Sequence, residues 1–218
     1  MAILITEAAG GSLLLTLIFS VFACIILGMG LPTTATYIIM AAMTAPAIMT
    51  ISADLNLGLP VVAVHLFVFY YGIVADDTPP VGLCAYAAAG ISGADPVKTG
   101  FKSFRLDLAA FTLPFMFIYN TKLLMIGTTW RELLYIVPVC IIGMFCWSVF
   151  IQGHWKTRTY IWERFVFLGL AFLLVNPGHI SIAGMHINQH LVNLSAIVLL
   201  VLIYFWQKSR LRSTQTTA

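Results

Sequence analysis

Residues 13–50 decide the fold of this chain, and their sequence is LLLTLIFSVFACIILGMGLPTTATYIIMAAMTAPAIMT. Two apolar runs of helical composition meet at Gly28-Met29-Gly30-Leu31-Pro32. The first run, Leu13–Leu27, gives about 22 Å of helix, less than the roughly 30 Å hydrocarbon core of a bilayer. Two short helices that meet at a Gly/Pro tip predict a re-entrant hairpin over residues 13–50. The alternative is one long helix that is kinked at Pro32.

A second apolar segment, residues 60–92, is interrupted by Asp76-Asp77-Thr78-Pro79-Pro80. One straight helix of this length would measure about 50 Å, which is more than a bilayer requires. Paired prolines remove backbone donors and disfavour helix immediately before them, so we expect unwound backbone at residues 77–79. Irregular backbone cannot face lipid, and the break must therefore be packed in protein or line a wet cavity. The segment either crosses the membrane once or consists of two half-helices that return to one face.

The composition indicates a membrane protein. Of the 218 residues, 61% are hydrophobic and 9% are charged, whereas soluble domains carry roughly 25% charged residues. The net charge of +3 is too small to suggest a nucleic-acid partner. Further apolar segments predict four transmembrane helices after the broken helix, at 104–119, Leu133–Ile151, Ile161–Val175 and Leu191–Trp206. We predict an all-α membrane protein in which residues 94–103 form an interfacial arm that begins at Asp95-Pro96.

The basic residues alternate between the loops of this arrangement. Nine of them fall in the arm, in one loop between helices and in the C-terminal tail: Lys98, Lys102, Arg105, Lys156, Arg158, Arg164, Lys208, Arg210 and Arg212. Only Lys122 and Arg131 lie in a loop on the opposite side. The positive-inside rule therefore predicts a cytoplasmic C-terminus.

Two broken hydrophobic elements are the best sequence indication of a transporter's binding site. Glycines allow open backbone conformations, and freed carbonyls, hydroxyls and carboxylates coordinate hard cations. The helix that begins near Thr33 points its positive end at the tip, where a substrate carboxylate would be favoured. The candidate ligands are Gly28, Met29, Gly30, Pro32, Thr33 and Thr34 at the tip and Asp76, Asp77, Thr78 and Pro79 at the break, and Thr36 offers a further hydroxyl. The alternative for the two aspartates is an ordinary loop; Asp77, beside the Thr-Pro-Pro break, is the better ligand candidate.

Other reactive residues give weaker predictions. His65 stands alone in an apolar run and is expected to pack rather than bind. His179, His186 and His190 cluster in one predicted external loop, where the last two have metal-ligand spacing but no supporting acid or cysteine. The sequence lacks CxxC, GxSxG, HExxH and P-loop motifs. We therefore predict no catalytic residue and no cofactor.

Several motifs resemble the large permease (M, or DctM-type) subunit of TRAP transporters. They are GMGLPTT at 28–34, HLFVFYYG at 65–72, ADDTPPV at 75–81 and AYAAAG followed by ISGADP at 85–96. The resemblance covers about residues 11–120. It implies a part of an ATP-independent secondary transporter in the bacterial inner membrane, which imports a carboxylate-bearing organic solute with Na+ as the coupling ion.

The resemblance also implies an architecture of the elevator type with two inverted repeats. Residues 13–50 would be the hairpin of the second repeat, 60–92 its broken helix and 104–119 its last helix, with one sodium site between tip and break. The first repeat is missing, so we expect a fragment that does not transport unaided.

The resemblance implies two partners. One is a periplasmic substrate-binding protein, and the other is a small four-helix permease subunit or a fused equivalent. Residues 121–218 form an extension of three transmembrane helices that resembles fused permeases, which often pair with TAXI-type binding proteins.

Two other functions compete with transport. In a non-transporting membrane scaffold, the Gly/Pro breaks would only allow close helix packing. In an intramembrane enzyme, Asp76 and Asp77 would act as a carboxylate pair.

Overall fold

The computed structural model describes the backbone of residues 2–175, 181–182, 185–186 and 189–216 and the side chains of residues 2–174 and 193–211. The chain divides into two compact units, residues 1–124 and 125–218. Helices form both units, beside one short antiparallel ladder of Ser181–Ile182 with Met185–His186. Together with the apolar helices described below, this architecture confirms the prediction of an all-α membrane protein.

Residues 2–124, the described part of the first unit, contain eight α-helices and three short 3-10 segments. The α-helices are α1 (Ala2–Ala9), α2 (Leu13–Gly28), α3 (Thr33–Met43), α4 (Ala45–Asp54), α5 (Val61–Val74), α6 (Leu83–Ser92), α7 (Pro96–Asp107) and α8 (Leu113–Tyr119). The 3-10 segments are Ala75–Asp77, Ala110–Thr112 and Thr121–Leu124.

Helices α2, α3 and α4 form a hairpin. The chain reverses direction between α2 and α3, because α2 packs against both α3 and α4. A single helix kinked at Pro32 would hold α4 away from α2, so that alternative is wrong. Leu17 of α2, Met40 of α3 and Ile48 of α4 share one buried apolar core with Phe67 of α5. The hairpin is therefore held against α5 by apolar packing.

The second arm of the hairpin is divided at Thr44. Helix α3 ends at Met43, and α4 begins at Ala45 and continues to Asp54, beyond the expected end near Thr50. Pro46 occupies the first turn of α4. Since proline has no backbone N–H and its ring crowds the carbonyl four residues earlier, the helix is interrupted just before it.

The predicted helix over residues 104–119 is not continuous. Helix α7 extends to Asp107, a 3-10 turn follows, and α8 covers only Leu113–Tyr119. Pro114 lies in the first turn of α8 and cannot donate the hydrogen bond that would join it to the preceding turn. The arm is correspondingly longer than the predicted 94–103.

Helix α7 begins at a capped N-terminus. The carboxylate of Asp95 accepts hydrogen bonds from the backbone N–H groups of Val97 at 2.9 Å and Lys98 at 3.1 Å. Pro96 follows in the first turn, where its missing N–H costs nothing. The cap fixes where the arm starts.

Replacing Asp95 by Ala should destabilise the arm by about 1 kcal/mol, because it removes the acceptor for two otherwise unsatisfied N–H groups. Thermal unfolding in detergent measures the change. Asp95→Asn is the matched control, since asparagine caps equally well. The Lys98–Asp95 ion pair, at 3.9 Å and highly exposed, contributes little. Equal losses in both variants would contradict the capping role.

The second unit is built from α9 (Trp130–Gln152), α10 (Ile161–Val175) and α11 (Gln189–Thr216). Its buried core brings Cys146 of α9, Phe167 and Leu174 of α10 and Ile203 of α11 together. Helix α9 starts at a capping box formed by Thr129 and Glu132. The side chains of His179, His186 and His190 lie outside those that the structure describes.

Three described segments are long and apolar enough to cross a membrane: Thr33–Asp54, Trp130–Gln152 and Asn193–Leu211. The first of them is the hairpin arm divided at Thr44. Helices Leu13–Gly28 and Leu83–Ser92 are apolar but shorter. Each of them ends or begins next to one of the two predicted interruptions, the hairpin tip and the break after Asp77.

Candidate ion and substrate site

The hairpin tip is a four-residue turn between α2 and α3. Gly28 is the last residue of α2 and is buried, and Met29 after it is extended at φ −62° and ψ 111°. Gly30 has φ +78°, a left-handed conformation that favours glycine. Pro32 caps α3 with an extended backbone. The two glycines therefore have different roles, one in close packing and one in the turn.

The second break follows α5. Regular helix ends at Val74, a 3-10 turn covers Ala75–Asp77, and helix resumes at Leu83 after Gly82 at φ +44°. Residues 78–82 are not helical, and the Pro79–Pro80 bond is cis. The Thr78 hydroxyl donates to the carbonyl of Val74 at 2.8 Å. Unwound backbone thus lies next to Asp76 and Asp77.

The tip and the break are in direct contact. A Cβ atom built on Gly28 would lie 2.7 Å from the Cβ of Ala75 and 3.2 Å from the methyl group of Thr36. A Cβ on Gly72, near the end of α5, would also lie 3.2 Å from that Thr36 methyl group. The end of α2, the start of α3 and the end of α5 therefore meet without room for another methyl group.

The candidate side chains differ in exposure. Thr78 is buried, and Asp76, Asp77, Met29 and Pro79 are half-buried. The other tip candidates, Gly30, Pro32, Thr33 and Thr34, are exposed, and nothing lies within 4 Å of a Cβ built on Gly30. The structure thus brings Gly28 to the break and leaves the rest of the tip open.

The two aspartates have distinct surroundings. The Oδ1 atom of Asp76 is buried and has no hydrogen-bond partner among the described residues. Asp77 interacts electrostatically with Asp76 and with the Cys84 thiol. A buried carboxylate oxygen without a donor is unfavourable unless a cation or another compensating group is present.

Asp107 lies near this site, although its place in the sequence does not indicate it. Its charge interacts with that of Asp77. The interaction arises because α7 packs against the 3-10 turn Ala75–Asp77. No local pattern connects two carboxylates so far apart in the sequence.

Thr36 has a structural position at the site. It is buried, its hydroxyl donates to the carbonyl of Leu31 at 3.3 Å, and its methyl group faces Gly28 and Gly72. The sequence marked Thr36 only as a source of a hydroxyl group.

His65 is half-buried and has a partner. Its Nδ1 lies 3.0 Å from the hydroxyl of Tyr37, and the Tyr37 ring meets Phe69 edge-on at 5.3 Å. The histidine links α5 to α3 in the way that a packing residue does.

No group of three or more His, Cys, Asp or Glu side chains in the described part of the chain is arranged to hold a metal ion. A transition-metal centre therefore has no support among these residues. A hard monovalent cation has different requirements, because backbone carbonyl and hydroxyl oxygens can supply most of its ligands.

Comparison with models of protein families identifies a match over more than half of the chain. The family model described as "Tripartite ATP-independent periplasmic transporter, DctM component" matches residues 1–131, which include all of the tip and the break. No curated protein and no solved structure matches the chain.

Proposed function

We infer the function of this chain from one premise: it belongs to the family of the DctM component of tripartite ATP-independent periplasmic (TRAP) transporters. Members of this family are membrane components of secondary transporters and work with a periplasmic binding protein. The family is one of transporters and not of enzymes.

We propose that the first unit holds the coupling sodium ion between the hairpin tip and the broken helix. The observation that carries this proposal is the contact between Gly28 and Ala75, at which a Cβ on the glycine would lie 2.7 Å from its neighbour. Two backbone interruptions that touch each other can supply carbonyl oxygens to the same ion.

The aspartates would supply the negative charge. The partnerless buried Oδ1 of Asp76 supports a cation on its side of the break. Asp77 stands next to the unwound residues 78–82 and is the stronger candidate for a direct ligand. The remaining candidate ligands are Gly28, Met29, Gly30, Pro32, Thr33, Thr34, Thr78 and Pro79.

The N-terminus of α3 would favour the substrate carboxylate. Its first turn presents backbone N–H groups at Thr33 and Thr34, both of which are exposed. An exposed helix N-terminus attracts an anion through these N–H groups and the helix dipole. A carboxylate-bearing organic solute fits this chemistry, and the binding protein would select which one.

We further propose the place of the chain in the complete permease. The first unit would be one of two inverted repeats of an elevator-type transporter in the bacterial inner membrane. The second unit would be part of a fused permease with a cytoplasmic C-terminus. Its partners would be a TAXI-type binding protein and a small four-helix subunit or its fused equivalent.

A sodium-specific stabilisation tests the proposal directly. The thermal unfolding of the purified permease that contains this chain is compared in NaCl and in KCl at equal ionic strength. Sodium at ten times its dissociation constant should add about 1.4 kcal/mol to the free energy of unfolding, because it binds only the folded state. Equal stability in the two salts would favour the membrane scaffold.

A further inference from the structure

The second unit has a basic groove at the end where α9 runs into α10. Residues 157–161, Arg210 and Leu211 line it, and its volume is about 600 Å³. We call these residues the basic groove. It is formed by the loop between α9 and α10 together with the C-terminal part of α11.

A buried ion pair fixes the geometry of the basic groove. The carboxylate of Glu163 is fully buried, and its Oε1 lies 3.6 Å from a guanidinium nitrogen of Arg210. The same guanidinium donates to the hydroxyl of Thr157 and, at 2.6 Å, to the carbonyl of Arg158. Tyr160 completes the arrangement with its ring 4.4 Å from the guanidinium. Arg210 thereby ties α11 to the loop.

The basic groove keeps an excess of positive charge. Glu163 offsets Arg210, while the side chain of Arg158 is exposed. Lys156 and Lys208 lie beside the groove, with their ammonium groups 5.4 Å and 5.9 Å from the ring of Tyr204. The only other acidic residue in the sequence of the second unit is Glu132, at the opposite end of α9. Among the lining residues, the Arg158 cation therefore has no carboxylate beside it, and Lys156 and Lys208 add positive charge nearby.

Exposed apolar side chains follow the basic groove along the two helices that border it, α10 and α11. Ile161, Phe165, Leu202 and Phe205 are 74%, 64%, 62% and 59% exposed. In a membrane-spanning unit such side chains contact acyl chains. Trp162 and Trp206, with ring centroids 5.3 Å apart, are residues typical of the headgroup level. The groove thus lies where an acyl-chain surface changes to a charged one.

We propose that the basic groove binds the headgroup of an anionic phospholipid. The phosphodiester would lie against the side chain of Arg158 and the hydroxyl-bearing residues on either side of it, Thr157 and Thr159. An acyl chain would pack against Ile161 and Phe165. Each Lys or Arg residue near the membrane surface increases the affinity for anionic headgroups about fivefold. A soluble phosphate would use the same cations but would gain nothing from the apolar side.

Quenching of tryptophan fluorescence tests this site. The full chain in detergent micelles, with Trp130, Trp147 and Trp155 replaced by Phe, is titrated with phosphatidylglycerol or phosphatidylcholine that carries brominated acyl chains. Trp162 and Trp206 then report binding beside the groove. We expect phosphatidylglycerol to quench at a lower mole fraction than phosphatidylcholine. Arg158→Gln should weaken the phosphatidylglycerol response by about fivefold. Arg158 is suited to this test because its exposed side chain, unlike its carbonyl, does not hold the loop.

Arg131→Gln is the matched control, because it also removes an exposed cation, at the other end of α9. It should leave the phosphatidylglycerol response unchanged. Equal quenching by the two lipids, or equal weakening by both variants, would overturn the proposal. Displacement of phosphatidylglycerol by millimolar inorganic phosphate would also overturn it, since the site would then belong to a soluble anion.

Discussion

Asp77→Asn is expected to abolish the sodium-specific stabilisation of the permease and its sodium-driven uptake of substrate. The change keeps the size of the side chain and removes one negative charge beside the unwound residues 78–82. A hydrogen bond to a charged group is worth about 1.5–3 kcal/mol, and a loss of that size corresponds to about a 10- to 160-fold loss of sodium affinity. Uptake by proteoliposomes that contain the complete transporter, at several sodium concentrations, measures the effect.

Asp54→Asn provides the control for Asp77→Asn. Asp54 is exposed at the end of α4, and its loss removes the same charge without touching the tip or the break. Sodium dependence should be retained in this variant. If Asp77→Asn transports with unaltered sodium dependence, the sodium site does not include Asp77. If neither the native protein nor the variants respond to sodium, the coupling ion itself is wrongly assigned.

Gly28→Ala is expected to destabilise the first unit by about 1–3 kcal/mol, because it overpacks the contact between tip and break. The new methyl group would lie 2.7 Å from the Cβ of Ala75 and 3.2 Å from the end of the flexible Met40 side chain. Met40 can adjust, but the Cβ of Ala75 moves only with its backbone. Thermal unfolding of the permease in detergent measures the loss, and the displaced backbone should weaken sodium binding as well.

Gly90→Ala is the matched control for this variant. Gly90 lies in α6, is exposed, and has nothing within 4 Å of a Cβ built on it. Alanine in a helix interior is roughly 0.5–1 kcal/mol more favourable than glycine, so this change should stabilise the protein slightly. A loss of stability in Gly28→Ala together with a gain in Gly90→Ala would support close packing at the tip. A stabilising Gly28→Ala would contradict it.

Local composition was sufficient to predict two of the interruptions in the first unit, the one at the hairpin tip and the one after Asp77. Glycine and proline at residues 28–32 stop one helix and start another, and the paired prolines after Asp77 unwind the next. Both effects act within a few residues of the cause, so they can be recognised in the sequence. The family-specific motifs occupy these same stretches.

Longer-range features could not be predicted in the same way. The interaction between Asp77 and Asp107 depends on how α7 packs against the break, which no sequence spacing encodes. The division of residues 104–119 was missed for a different reason. The apolar residues around Pro114 favoured one continuous helix in the prediction. In the structure the proline interrupts the backbone hydrogen bonding, and α8 begins just before it.

The interruption at Thr44 gives the two arms of the hairpin different mechanical properties. The first arm is a single 16-residue helix, whereas the second has a joint where Pro46 cannot donate a backbone hydrogen bond. A helix bends most easily where such a hydrogen bond is missing. A load applied at the tip would therefore bend the second arm about this joint while the first arm moves as a rigid rod.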